Sequence, residues 1–224
     1  MYAIDKTAAI EADNHGGFLT ETGKYKGHFL RAEKLVSKNK GTHGIGFTFE
    51  DESKRTTRFD IWTRSGSGDN LMGYKTLQAM MTVMGLRNIT PAQGIVDRYD
   101  YDTKTTSKVQ AEVFNDLVGK PVGLVLRSTE YEKMRDGRLT GETGWRLELV
   151  APFRPADEFT SSEIMLSHTK ALKLPALIAT LADRPLKARP MAAPRPDDGY
   201  GGAIPFGHPA ASGFDGGDDS SIPF

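Results

Sequence analysis

The chain contains no cysteine in its 224 residues. Disulfides, iron–sulfur clusters and thiolate zinc sites are thereby excluded, and the composition fits a reducing compartment. A long apolar run is also missing. The longest candidate, Leu174 to Ala182, is about half of the ~20 residues that span a bilayer. Met1-Tyr-Ala-Ile-Asp5 lacks the basic-then-apolar pattern of a secretory signal. The expectation is a cytoplasmic protein with no membrane partner.

Catalytic and cofactor motifs are absent too. His15, His28, His43, His168 and His208 are scattered, without a metal-ligand spacing such as HExxH. Gly119-Lys120 is not followed by Ser or Thr in a P-loop frame, and Gly41-Thr-His-Gly-Ile-Gly46 has the wrong spacing for a dinucleotide fingerprint. No nucleophile stands beside a base. Neither a catalytic residue nor a metal nor a cofactor is expected, and an enzyme receives no support.

Neither sign of charge prevails, since 29 Lys and Arg balance 29 Asp and Glu. The neutrality conceals segregation. Residues 188–224 carry two arginines against five aspartates, whereas residues 22–64 carry ten basic residues against five acidic ones. A basic segment joined to an acidic tail suits a polyanion at one end, and the tail can compete for the same surface.

Three strand-like runs occupy that basic segment. The first, Tyr25 to Val36, changes the parity of its apolar residues midway, as a long strand bent by a bulge does. Lys38 and Lys40 lie in the turn after it. In the second, Ile45, Phe47 and Phe49 share one face, and Gly44 and Gly46 leave the other open to a flat ligand. The third puts Phe59 and Ile61 on one face and Arg58, Asp60, Trp62 and Arg64 on the other. Trp62 between arginines reads as a stacking platform with phosphate clamps, because every base presents a π-face. Lys24, Lys26, Lys54 and Arg55 extend the basic surface. Trp145 shares parity with Leu147 and Leu149 and is expected in the core.

A helix is predicted from Asp69 as N-cap to Met84, ended by Gly85, with Tyr74, Leu77, Met81 and Met84 as its apolar stripe. Residues 86–110 are a polar connection. Its Tyr99 and Tyr101 beside lysines either extend a nucleic-acid path or belong to a surface hairpin. A short helix over 111–118, a buried strand over 120–126 and a last strand over 145–153 follow. Thr160-Ser-Ser-Glu163 reads as a capping box. Leu172, Leu174, Leu177, Ile178 and Leu181 are suited to pack on the main domain or on a second subunit.

Three strands, a helix and two strands match the element order of an OB fold. The fold class expected is mainly β: a five-stranded antiparallel OB-fold barrel with a helix between strands 3 and 4, plus short helices. The oligonucleotide surface of that architecture is the face of strands 2 and 3, where Trp62 falls.

The chain ends on an acidic run, Asp215, Asp218 and Asp219, and a stiff apolar tip, Ile222-Pro223-Phe224. A segment so poor in apolar residues and rich in Gly and Ser does not fold, yet its tip has the chemistry of a docking peptide. The tip resembles that of bacterial single-stranded DNA-binding proteins, which recruits replication, recombination and repair proteins to coated strands. An internal copy, Ile204-Pro205-Phe206, lacks the free carboxylate.

Gly23-Lys-Tyr-Lys-Gly27, Ala32-Glu33, Gly41-Thr-His-Gly-Ile45 with Phe47 and Phe49, Leu117-Val-Gly-Lys120 with Gly123-Leu-Val-Leu126, and Glu130-Tyr131 resemble phage-encoded single-stranded DNA-binding proteins of OB type. The resemblance spans about residues 22–165. It implies sequence-independent binding of single-stranded DNA in phage replication, recombination and repair, inside the host bacterial cell. An RNA-binding or RNA-chaperone barrel, a DNA-annealing protein and a nuclease accessory subunit are the alternatives, and a homo-oligomer is left open. The expected organisation is a flexible arm over 1–21, the OB domain over 22–165, a helical extension over 166–186, and a disordered linker with partner-binding tail over 187–224.

Overall fold

The computed structural model describes residues 4–6, 17–100, 103–135 and 138–186, with Tyr99 and Asp100 described in backbone only. The tail residues Asp215 to Phe224 and the internal Ile204-Pro205-Phe206 lie outside the described residues, as does Tyr101. The described residues all belong to one unit, Met1–Lys187.

The period-two patterning folds into a mainly β structure. Its strands are β1 (Gly23–Val36), β2 (His43–Asp51), β3 (Thr56–Arg64), β4 (Ala92–Asp100), β5 (Thr105–Val113), β6 (Pro121–Arg135) and β7 (Arg138–Phe153). The helices are α1 (Met72–Val83), α2 (Ser161–Met165) and α3 (Lys173–Ala179). Every ladder between the strands is antiparallel. One path runs β3-β2-β1-β5-β4, while β6 pairs with β1 and β7 pairs with β6. Among the described residues no ladder joins β3 to β7, so the sheet is not closed.

β1 is the shared strand. Its first half pairs with β6, from Gly23 opposite Leu126 to His28 opposite Pro121. From Gly27 onward it pairs with β2, and the register shifts between Phe29 and Arg31. Leu30 is the extra residue, the bulge that the parity change indicates. Phe29 before it and Ala32 after it are both fully buried. Gly27 is required where the strands cross, because a Cβ there would lie 2.0 Å from the Glu50 carbonyl oxygen.

The core collects the inner face of this sheet. Phe29 packs on Phe47, Phe49 and Phe59 with ring centroids 4.8, 5.9 and 6.3 Å away, within the range where tilted aromatic pairs attract. α1 covers them with Leu77, Met80, Met81 and Val83. It starts at Met72 rather than after Asp69, whose carboxylate instead accepts from Ser67 at 2.7 Å. Gly85 ends it at φ +68, a conformation that costs a residue without Cβ nothing.

The structure changes several sequence expectations. Residues 92–113 form the surface hairpin that is one of the two readings of the polar connection, but as two nine-residue strands that run on through residue 113. The helix expected over 111–118 is the end of β5 plus a single 3-10 turn, Asn115–Leu117. β6 and β7 run on past the core as a two-stranded ribbon. Trp145 has the expected parity, but it sits on that ribbon opposite Glu130 and is 52% exposed. The N-terminal arm is not free throughout, since Leu19 is buried and its N–H donates to the Thr56 carbonyl at 2.8 Å.

The extension after β7 packs on the same chain. Leu174 is fully buried against Val125 and Phe153, with Leu177, Ile178 and Leu181 around them. Leu172 stays exposed. Arg184 then forms a parallel bridge with Thr129, adding a short strand segment to the edge of β6.

The capping box at Thr160 forms, and its acid does more than cap α2. Glu163 is completely buried. Its carboxylate accepts from the Thr160 N–H at 2.9 Å and hydroxyl at 2.7 Å, and from the Leu172 and Lys173 N–H groups at 2.7 and 2.8 Å. The last two are orphan donors at the start of α3. Burial alone would raise this carboxyl, but those hydrogen bonds outweigh it and hold the pKa at about 2. A depressed carboxyl stabilises the fold above its unfolded value and loses that contribution as pH falls through its folded one. The wild type is therefore expected to lose urea resistance between pH ~4.5 and ~2 through this group. Glu163→Gln should cost about 1–3 kcal/mol at neutral pH and lack that part of the acid dependence. An unchanged urea midpoint for the variant at pH 7 would contradict this account.

Candidate nucleic-acid interface

The registers of β1 with β2 and of β2 with β3 combine into a grid on the outer face of the sheet. One row is Arg31, Thr48 and Arg58; the next is Glu33, Gly46 and Asp60; the third is Leu35, Gly44 and Trp62. Neighbours within a row are ~5 Å apart and successive rows ~7 Å. A cationic row, an acidic row and an apolar row with an aromatic thus follow one another along the strands.

The glycines of β2 do not leave the open floor that the sequence suggests. A Cβ on Gly44 would meet the Trp62 ring at 2.9 Å, and one on Gly46 would meet Leu35 at 3.0 Å and the Asp60 carboxylate at 3.1 Å. Both glycines are buried. They make room for side chains of this chain: Trp62 lies over Gly44, half-buried, and Leu35 folds over Gly46. The ring rests against Gly44 and remains partly exposed.

The inserted hairpin reaches this face. Arg98 of β4 forms an ion pair with Glu33, and Arg31 Nη1 donates to the Asp97 carbonyl at 2.9 Å. Val96, 5% exposed, shares the Arg98 face of β4 by strand parity. Glu33 is itself 5% exposed. Arg31 is partly desolvated and lies near both Arg58 and Arg98, so its pKa is lowered, with Glu33 and Asp97 opposing.

The sequence-predicted residues separate into groups. Trp62, Arg58 and Arg64 share the outer face of β3. Lys38 and Lys40 are exposed in the β1–β2 turn, which packs against the end of β3: a Cβ on Gly66 would lie 2.2 Å from the Lys40 carbonyl oxygen. Among the described residues none of Arg58, Arg64, Lys38 and Lys40 is in an ion pair. The others are committed to carboxylates. Lys24 and Lys26 pair with Glu158 at 2.7 and 3.3 Å. Lys54 pairs with Glu50 at 2.8 Å. Arg55 grips the buried Asp51 through Nε and Nη2 at 2.9 and 2.7 Å and lies 5.6 Å from the Tyr25 ring centroid. The Tyr99 side chain lies outside the described residues.

Sequence reasoning missed Arg31, Thr48 and Arg98. Arg31 follows the bulge, and its face depends on which residue is extra. Arg98 is remote in sequence and joins the face only because the hairpin leans back on β1.

No protein-family model matches the sequence, and no curated protein is significantly similar to it.

The acidic row has a measurable consequence. Loss of solvent raises the Asp60 carboxyl above its ordinary value; Arg58 opposes this and Glu33 adds to it. A raised carboxyl stabilises most below its unfolded pKa, and that contribution is lost as pH rises through the folded value. Asp60→Asn should therefore raise the thermal midpoint at pH 7, by an amount that shrinks as pH is lowered toward ~4. An equal shift at both pH values would show that Asp60 ionisation is not the cause.

Proposed function

We propose that the protein binds single-stranded DNA without sequence preference across the outer face of β1, β2 and β3, and that its acidic tip recruits other proteins to the coated strand. The observation that carries this reading is Trp62, seated on Gly44 and partly exposed, with exposed Arg64, Lys38 and Lys40 at one end of the strands and the row containing Arg58 at the other. Bases stack on the ring, and phosphates take the cations on either side. Asp60, the open acid of the middle row, then faces bases, whose N–H groups can donate to it, rather than phosphates.

Two further features support the reading. The order β1-β2-β3-α1-β6-β7 is that of an OB fold once the β4–β5 hairpin is set aside, and α1 packs against both β3 and β7. We read it as an OB barrel carrying an insertion. The resemblance of residues 22–165 to phage-encoded single-stranded DNA-binding proteins points the same way, as does the Ile222-Pro223-Phe224 tip with its three acids. On this reading the protein works in phage replication, recombination and repair within a bacterial cytoplasm. Ion pairs at Lys24, Lys26 and Lys54 do not remove them from the strand's path, because exposed pairs are weak and exchange for phosphate readily.

Two experiments test the proposal. In a Trp145→Phe background, Trp62 is the one remaining tryptophan, and its fluorescence should be quenched by oligothymidine. Trp62→Ala should weaken binding by about 1–3 kcal/mol without lowering the thermal midpoint. Affinity should fall with salt at a slope of about −0.7 per phosphate neutralised. Equal affinity for duplex and single strand at low salt would end the reading. Separately, deleting Asp218 to Phe224 should leave DNA binding intact or tighter and abolish capture of replication enzymes in a pull-down. Identical capture with and without the tip would remove the docking role.

A further inference from the structure

The contact between the β4–β5 hairpin and the sheet brings together guanidinium groups that its carboxylates pair incompletely. Arg31 and Arg58 flank Thr48 in one row, each ~5 Å from it at the backbone. Arg98 comes down from the hairpin onto Glu33, one row away. Asp97 points to the other side of β4 from Arg98, because successive side chains alternate, and its register partner there is Lys108. Around Arg31 this face therefore holds three guanidinium groups, with Glu33 and Asp60 on the same face and the Asp97 charge close enough to act on Arg31. Glu33 satisfies Arg98 closely but reaches Arg31 Nε only at 3.9 Å. Arg31 makes its short bond to a neutral carbonyl instead. Arg58 has no ion-pair partner, and the Thr48 hydroxyl no hydrogen bond, among the described residues.

We infer that Arg98 of the hairpin, with Arg31, Thr48 and Arg58 of the sheet, holds one backbone phosphate of a bound strand, and that Arg98 exchanges Glu33 for that phosphate as the strand docks. The inference rests on the single-strand reading above and names a contact that reading does not contain. Guanidinium forks suit a tetrahedral oxyanion, and a hydroxyl at the floor supplies a further donor. The site lies two rows from Trp62, ~14 Å along the strand direction. That separation leaves room for more than one nucleotide between the clamped phosphate and the stacked base. The hairpin, fastened at its Arg98 end by one ion pair and one hydrogen bond, closes on the strand from above, and Glu33 keeps the arginines in place when no strand is bound.

The test uses the full-length protein and its Arg98→Gln, Arg98→Lys and Arg31→Gln variants, titrated with oligothymidine over a range of salt. Arg98→Gln and Arg31→Gln should each weaken binding about tenfold and make the salt slope shallower by about 0.7, one phosphate's share. Arg98→Lys, which keeps the charge, should retain the slope. Should Arg98→Gln lose its thermal midpoint through the orphaned Glu33, the Glu33→Gln/Arg98→Gln double variant removes both charges together and carries the same expectation. Affinity and slope equal to wild type in these variants overturn the inference while leaving single-strand binding standing. Inorganic tripolyphosphate, titrated calorimetrically, is the second probe, and it should bind wild type and lose affinity in Arg98→Gln. Binding of tripolyphosphate through Arg98 with an unchanged oligonucleotide slope means a free-anion site only and overturns the strand contact. A wild type that takes tripolyphosphate through Arg98 yet does not prefer single strands overturns the parent reading and keeps the phosphate site.

Discussion

The register shift at Leu30 is the constraint from which the rest of this structure follows. Side chains on a strand alternate, so one extra residue exchanges the two faces for everything beyond it. Before the bulge, Phe29 faces the core and Lys24, Lys26 and His28 face outward. After it, Ala32 is inward and Arg31, Glu33 and Leu35 are outward. Without the bulge, the outer face of β1 would present Leu30, Ala32 and Lys34, and the row linking Arg31 to Arg58 through Thr48 would not exist. The same bend lets β1 serve β6 with its first half and β2 with the remainder.

Burial explains why this face is held rigid. Phe29 in contact with Phe47, Phe49 and Phe59, and Phe47 stacked on Phe59 at 5.4 Å, hold the inner surface of β1, β2 and β3 under α1. The outer residues inherit that rigidity through their strands, and Trp62 gains more by resting on Gly44. Association costs side-chain freedom, and a ring already fixed at one edge has less of it left to lose. The two ribbons projecting from the sheet are used differently. The β4–β5 hairpin turns back and is fastened to β1 by Arg98 and Arg31. The β6–β7 ribbon carries Trp145 outward, with Arg146 5.3 Å from the Tyr131 ring centroid on its other face.

Much of this was readable from residue order. The alternation of Phe59 and Ile61 against Arg58, Asp60, Trp62 and Arg64 identified β3 and both of its faces. The parity change in β1 announced its bulge, Gly85 marked the end of α1, and Thr160 with Glu163 gave the start of α2. The β4–β5 hairpin was legible only as one of two alternatives, because exposed Ile95 and its charged neighbours give no clean alternation. Its partners Glu33 and Arg31 lie more than sixty positions away. Trp145 misled because its parity was right and only the length of the ribbon was unknown. Gly44 and Gly46 looked like vacant floor, since sequence does not say which neighbouring side chain will fill a space.

By itself, then, the sequence determined which side of each strand a residue occupies and where each run begins to fail, since both depend on covalent periodicity and on local backbone preference. Only the tertiary structure decided what covers each side. That depends on how far a ribbon outlasts the core, where a hairpin folds back, and which distant charge arrives beside a buried one. These are matters of packing between remote segments, and Arg98 meeting Glu33 is the clearest instance.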